Sequence, residues 1–460
     1  MTPPRLDESP FKEYSRKDFE GMLENYNAKV IQNQFPNCSR QVKVWDESLR
    51  DGEQSPGVFL KTDEKIELAK MLDEIGVSII AAGFPAVSKQ ELDMVRSISR
   101  ETFTNARIAA VSRTMKADID AVLATSCEEI IFFMPLSELF LKLVLKKSLD
   151  QVFATVREAL EYAAAHGLTP SLVAEDASRA KTSTVTDFFR LGLDHGATKL
   201  VYADTVGVLF PETTHVVISD VLHGLNETHP GRFELGIHVH NDFGLATANT
   251  IAGVLEGVVY PHVCINGYGE RAGNCALEEV AVGLEMNGID TGIKLGKIKH
   301  LSSVAEEYFG IPLTSHKPIV GRYSFSHESG IHVSAVLMHP LTYEPINPKK
   351  VGETRRFYLG KFSGTKSISE KLSQVGMEFP RPILQEIVEA VKQKQEKRDK
   401  EERKRIFHNI FREIEEIRMG VSDDEFWDIV RQTIAKHEKY RDQERGIPAA
   451  VAERKDPSCS

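Results

Sequence analysis

Cysteine is scarce in this chain, and none of it is arranged as a staple. Five occur in 460 residues, Cys38, Cys127, Cys264, Cys275 and Cys459, with no CxxC pair. An odd, scattered set speaks against a disulfide framework and a thiolate zinc site, and it fits a reducing cytoplasm. Long apolar runs are missing too. No uninterrupted stretch reaches the roughly 18 residues that read as a membrane span. The N-terminal MTPPRLDESPFKEYSRKDFEG has no apolar core, so no secretory signal is expected. Basic excess is absent: the net charge is −10, which argues against a nucleic-acid partner. No GxGxxG follows the first β-rich run, which weakens a dinucleotide-binding reading.

What is present is ordinary globular material, 41% hydrophobic and 27% charged. The length suits one large catalytic domain with a smaller appendage. A polar N-terminal arm is expected over residues 1–39. From about Gln41, eight short β-rich runs alternate with helical spacing: QVKVWD (41–46), SIIAAG (78–83), ARIAAVS (106–112), EIIFFM (129–134), TPSLVAE (169–175), TKLVYAD (198–204), FELGIHVH (233–240) and HVCING (262–267). Segments between them, such as Asp63–Ile75 and Leu149–His166, have helical length. Eight such units predict an α/β fold, a (β/α)₈ TIM barrel over residues 40–290. A doubly wound open sheet is the alternative.

Beyond the barrel the alternation stops. A small mixed linker subdomain is expected over 291–370, a helical segment over 371–445 and a tail over 446–460. The run Val391–Phe407 mixes both charge signs and reads as a solvated helix face. Ser422, with Glu425 three residues on, reads as a capping box opening the last helix.

The strongest local signal is His238-Val239-His240 at the end of the seventh run. Strand residues two apart point the same way, so both imidazoles would face a barrel mouth, where such enzymes carry their sites. Taken alone an HxH is more often ordinary packing; at a strand end, followed by Asn241-Asp242, it suits a divalent transition metal. Asp51 in the loop after the first strand and Asn274 after the eighth are further oxygen donors. Arg50 beside Asp51 is a fixed cation, able to stabilise an oxyanion. Glu175 ends the fifth strand and Thr205 follows the sixth. His332 and Tyr343 lie outside the barrel, where packing is the competing explanation.

These residues sit in eight ordered motifs: SLRDGEQSPGV (48–58), AGFPAVS (82–88), EDASRA (175–180), DTVGV (204–208), HVHNDFGLATAN (238–249), NGYGERAGN (266–274), HESGIH (327–332) and TYEPINPKKVG (342–352). In them the chain resembles the alkylmalate synthases, metal-dependent barrel enzymes such as 2-isopropylmalate and homocitrate synthase. The resemblance implies condensation of acetyl-CoA, as co-substrate, with a 2-oxo acid. It also implies Asp51, His238, His240 and Asn274 as ligands of a divalent metal (zinc, manganese, cobalt, iron or magnesium). Arg50, Gln54, Glu175 and Thr205 become substrate contacts. His332 and Tyr343 become a catalytic pair offered to the partner barrel of a domain-swapped homodimer. The base is left open among His332, Tyr343 and Glu175.

Two positions depart from the family. Ala81 stands where many 2-isopropylmalate synthases carry Glu, and Phe140 where many members carry His. Both are expected to line the keto-acid pocket and to make it less polar, with plain core packing the alternative for Phe140. No room is left for a leucine-binding regulatory domain, so feedback through one is not expected. The competing classes are a carbon–carbon lyase on the same barrel, resembling 3-hydroxy-3-methylglutaryl-CoA lyase, and a binding protein that has kept the barrel.

Overall fold

The computed structural model describes residues 24–418 and 420–436. Most of the N-terminal arm, Cys459 and the tail lie outside the described residues. The described residues divide into two compact units. The first runs to Ser55 and resumes over Leu60–Arg398; the second holds Pro56–Phe59 and the chain from Asp399.

The first unit is built on a closed barrel of eight parallel strands in sequential order. They are β1 (Trp45–Asp46), β2 (Ile79–Ala81), β3 (Arg107–Ser112), β4 (Glu129–Pro135), β5 (Thr169–Glu175), β6 (Lys199–Asp204), β7 (Glu234–Val239) and β8 (Tyr260–Val263). Closure is made by β1, where Trp45 pairs with Ile79 on one side and His262 on the other. The barrel therefore replaces the open-sheet alternative. Strands such as EIIFFMP and KLVYAD are near-continuous apolar runs because both faces are covered. Alternate side chains pack inward: Trp45, Ile79, Ala81, Ala109, Val111, Ile131 and Tyr260 form one inner cluster, with Phe84 and Phe133 against it.

Helices separate the strands, including Thr62–Ile75, Leu149–Ala165 and Pro211–Thr228. Local signals set their ends. Ser148 accepts from the Gln151 N–H, and the Gln151 side chain returns to the Ser148 N–H, a reciprocal cap.

Three expectations change in detail. The eighth strand is Tyr260–Val263, earlier than HVCING suggested; Ile265–Gly267 is a single helical turn instead. Asn266 and Gly267 both have positive φ, 59° and 72°, which ends any strand there. The linker region is more helical than its loops and glycines implied, with Ile298–Phe309, Gly330–Met338 and Thr365–Ser373. The charged run 391–407 belongs to two helices, Arg381–Glu396 and Lys400–Arg418. The second starts at Asp399, whose Oδ1 accepts from the Glu401 and Glu402 N–H groups.

Within the first unit, Ile368, Leu384 and Val388 join the helices Thr365–Ser373 and Arg381–Glu396 in a small core of their own. The second unit contains Lys400–Arg418 and Asp423–Ala435. Ser422 and Glu425 form the expected capping box. Among the described residues no helix is long and apolar enough to cross a membrane.

Candidate metal centre and active site

The loop after β1 is shaped by one carbonyl. Glu47 O accepts the N–H groups of Arg50 (3.1 Å), Asp51 (2.8 Å) and Gly52 (3.0 Å). That turn brings Asp51 to the end of β7. His238 and His240 leave β7 on the same face, and their Nε2 atoms stand 3.3 Å apart. Asp51 Oδ2 lies 3.2 Å from His238 Nε2 and 3.8 Å from His240 Nε2. All three side chains are buried.

Asn274 arrives from the loop after β8. Its Nδ2 donates to Asp51 Oδ2 at 2.9 Å. The loop closes tightly enough to require glycine: a Cβ on Gly269 would sit 2.2 Å from Asn274 Nδ2, and one on Gly273, at φ +87°, 2.1 Å from Gly267 O.

The electrostatics suit a cation. Burial alone would push the Asp51 carboxyl up, but the Arg50 charge and the His238 hydrogen bond hold it well below the usual carboxylate range. Burial, with the charge of His238, lowers His240 to about 3, so its imidazole is neutral with a free lone pair. Asn274 Oδ1 and His240 Nδ1 are buried without a hydrogen-bond partner. An ionised carboxylate, two imidazoles and an orphaned amide oxygen make a donor set that fits a divalent metal.

Around this cluster stand charged and polar neighbours. Arg50 is partly exposed and pairs with the buried Glu47. Glu175, at the end of β5, is pushed up to about 7 by burial and by neighbouring Asp176, against the pull of Arg50. Thr205 Oγ1 accepts the Asp176 N–H at 2.8 Å, fixing the left-handed turn at Asp176 (φ 55°) that follows Glu175. Arg271 ties the rim together, donating to both Asp242 oxygens (2.8 and 2.9 Å) and to Thr205 O (2.6 Å).

The structure thus gathers Arg50, Asp51, His238, His240 and Asn274. Gln54 lies on the same loop with an exposed side chain, and Phe140 is half-buried on the turn after β4. Ala81 is buried at 0% exposure in the inner cluster. His332 and Tyr343 are both exposed, with ring centroids 4.1 Å apart. Among the described residues no hydrogen bond, ion pair or ring contact joins either to the Asp51–His238–His240 cluster. Glu344, buried next to Tyr343, accepts from Arg355 and faces His327, and so anchors that loop.

Sequence reasoning passed over Glu47, His262 and Arg271. Glu47 and His262 sit on the inward parity of their strands, two residues beyond Trp45 and Tyr260, and that alternation was the available signal. Arg271 carries no such mark.

Fold and site together define a (β/α)₈ barrel with a divalent-metal donor set at the C-terminal ends of its strands. The HMGL-like family model matches residues 41–305, and the model described as homocitrate synthase post-HMGL domain-like matches residues 319–399. A putative (R)-citramalate synthase of Methanopyrus kandleri is 42% identical over 353 residues, 76% of this chain and 68% of that protein. A homocitrate synthase of Methanothermobacter thermautotrophicus is 40% identical over 370 residues, 80% of this chain and 92% of that protein. The solved HMG-CoA lyase of Bacillus subtilis superposes with a TM-score of 0.53 at 23% identity, covering 61% of this chain and 97% of that one, and shows the fold alone. The chain belongs to the HMGL-like family and, within it, to the alkylmalate synthases.

Proposed function

We propose that this protein condenses acetyl-CoA with a 2-oxo acid of apolar side chain, giving a 2-hydroxy-2-alkyl dicarboxylic acid and free CoA. The observation that carries the proposal is the buried Asp51–His238–His240 cluster with Asn274 Oδ1 left unpartnered beside Arg50. Asp51, His238, His240 and Asn274 would hold a divalent cation. Such an ion, when bound, supplies Lewis acidity to a keto oxygen.

This chain's residues would do the rest. A base removes a proton from the acetyl methyl group. The methyl carbon bonds to the keto carbon, whose oxygen gains the electron pair and then a proton. Arg50 stabilises that oxygen as charge develops. Water then cleaves the thioester and CoA leaves as the thiol. Glu175, ionised above about pH 7, is one candidate base. His332 and Tyr343, exposed and paired with each other, suit delivery to the mouth of a second copy's barrel.

The apolar preference is supported by the β2–β4 side of the barrel. Phe84 and Phe133 meet edge-on at 6.2 Å above the inner cluster. Arg113, over the Phe84 ring, is engaged by both oxygens of Asp118, so its charge is already committed. The relatives' names differ in product, so identity alone does not choose the acid.

The test is release of free thiol from acetyl-CoA by metal-loaded protein with pyruvate, 2-oxoisovalerate, phenylpyruvate, 2-oxoglutarate, oxaloacetate and phosphonopyruvate. Release is expected with an apolar acid and is lost with chelator and in His238→Ala. Fastest release with 2-oxoglutarate would overturn the apolar preference. No release with any acid would overturn the condensation and turn attention to cleavage of 3-hydroxyacyl-CoA thioesters.

A further inference from the structure

A second buried layer lies directly beneath the ligand cluster, and it contains a carboxylate with no place in the reaction above. Glu47 is 1% exposed. Its Oε2 accepts from Arg50 Nε at 2.8 Å and lies 2.7 Å from Nη2. One oxygen thus fills the fork on that edge of the guanidinium. Its Oε1 lies 3.2 Å from His262 Nδ1. His262 is itself buried, stacked on Trp45 at 4.4 Å, and set edge-on to His238 with ring centroids 5.6 Å apart.

Glu47, His238 and His262 could be read as a second cation site. The guanidinium argues against it. Arg50 already neutralises Glu47 at hydrogen-bond distance, and a divalent ion would have to share that carboxylate with a fixed positive charge.

The consequence for Arg50 is orientation. Long side chains at a barrel mouth sample many rotamers, and an arginine aimed at a developing oxyanion loses rate with each wrong one. With Nε and Nη2 held below, Nη1 is the edge turned to Asp51 Oδ2, 3.9 Å away. Glu47 is well placed to hold it. Its backbone N–H donates to Val263 O of β8 (2.8 Å), and its own carbonyl caps the Arg50 turn. Resting on the condensation reading, we infer that Glu47 is a positioning residue that acts through Arg50. It locks the guanidinium with its Nη1 edge toward the ligand cluster while His262 backs the carboxylate from the other side.

Two readouts test this in Glu47→Gln, with Glu47→Asp as the second variant should Gln fail to fold. The first needs no turnover. An arginine-specific dicarbonyl followed by peptide mapping is expected to label Arg50 several-fold faster in the variant than in the wild type, with Arg107 labelled equally in both. Equal labelling of Arg50 would overturn the clamp. The second is kinetic. Loss of a charged hydrogen bond predicts a fall in kcat of about tenfold, with metal content and the KM for acetyl-CoA unchanged. In an Arg50→Lys background the same substitution is expected to add almost nothing. Additive losses there would show that Glu47 acts independently of Arg50 and would overturn the inference. Should the wild type release no thiol, the condensation reading fails, and the labelling still decides the clamp.

Discussion

Replacing Glu175 with glutamine keeps the shape of the side chain at the end of β5 and removes its titration. Burial and Asp176 raise this carboxyl from 4.5 to about 7. Below pH 4.5 folded and unfolded chains both hold the proton. Between 4.5 and 7 the unfolded chain has released it while the folded chain retains it. Ionisation then favours unfolding, so this group's effect on stability worsens as pH rises and levels off above about 7. At 1.36 kcal/mol per unit the full difference is about 3 kcal/mol; residual water access brings it to about 1–3 kcal/mol. Relative to wild type, Glu175→Gln should therefore gain about 1–3 kcal/mol between pH 5 and pH 8. Urea denaturation midpoints at both pH values, in chelator so that no cation shares the mouth, measure the gain. Groups common to both proteins cancel in the comparison. A difference that stays flat, or turns against Gln at pH 8, would refute the idea that a buried, raised carboxyl sits there.

Three further outcomes follow from the same geometry. His240→Ala removes a neutral lone-pair donor, and elemental analysis should find bound metal reduced, with thiol release down more than about a hundredfold; full metal content would remove His240 from the donor set. His332→Ala and His238→Ala should each be nearly inactive alone, yet subunit exchange between them should restore roughly a quarter of wild-type activity if each site draws on two chains. No recovery after verified exchange would show that the sites are not shared. Thr205→Val leaves the Asp176 N–H without its acceptor and should cost about 1–2 kcal/mol in denaturant unfolding, and an unchanged midpoint would show that water replaces it.

The barrel was legible because its strands lie in short apolar runs that alternate with segments of helical length. TPSLVAE became β5 over the same residues, Thr169–Glu175. The eighth strand was misplaced for a local reason: Pro261 pairs opposite Ile237 inside it, and proline argues against a central strand. The grouping of Asp51, His238 and His240 was legible because two-residue periodicity puts the two histidines on one face at a strand end, and the loop after β1 supplies the carboxylate. Glu47 was passed over although it obeys the same periodicity. Parity gives the face of a strand but not the depth along the barrel, and a buried acid beneath the mouth looks in sequence like another loop residue. Ala81 lies in the inner cluster at 0% exposure, a burial it shares with Asp51 at 1%, so depth along the barrel is what the sequence leaves open for both. His332 and Tyr343 were marked by motif alone, and the structure adds only their mutual ring contact.

The Arg271 brace gives the rim a division of labour. Because one guanidinium grips Asp242 and the Thr205 carbonyl together, the turns after β6, β7 and β8 share a single keystone. Phe84, Phe133 and Phe140 occupy the opposite arc, after β2 and along and after β4. Among the described residues no hydrogen bond or ion pair joins those three to Arg271, Asp242 or Thr205. Under the proposed function, a lineage would retailor which molecule enters along the phenylalanine arc while the Arg271 brace holds the opposite turns still, so that one scaffold would serve a series of homologous reactions.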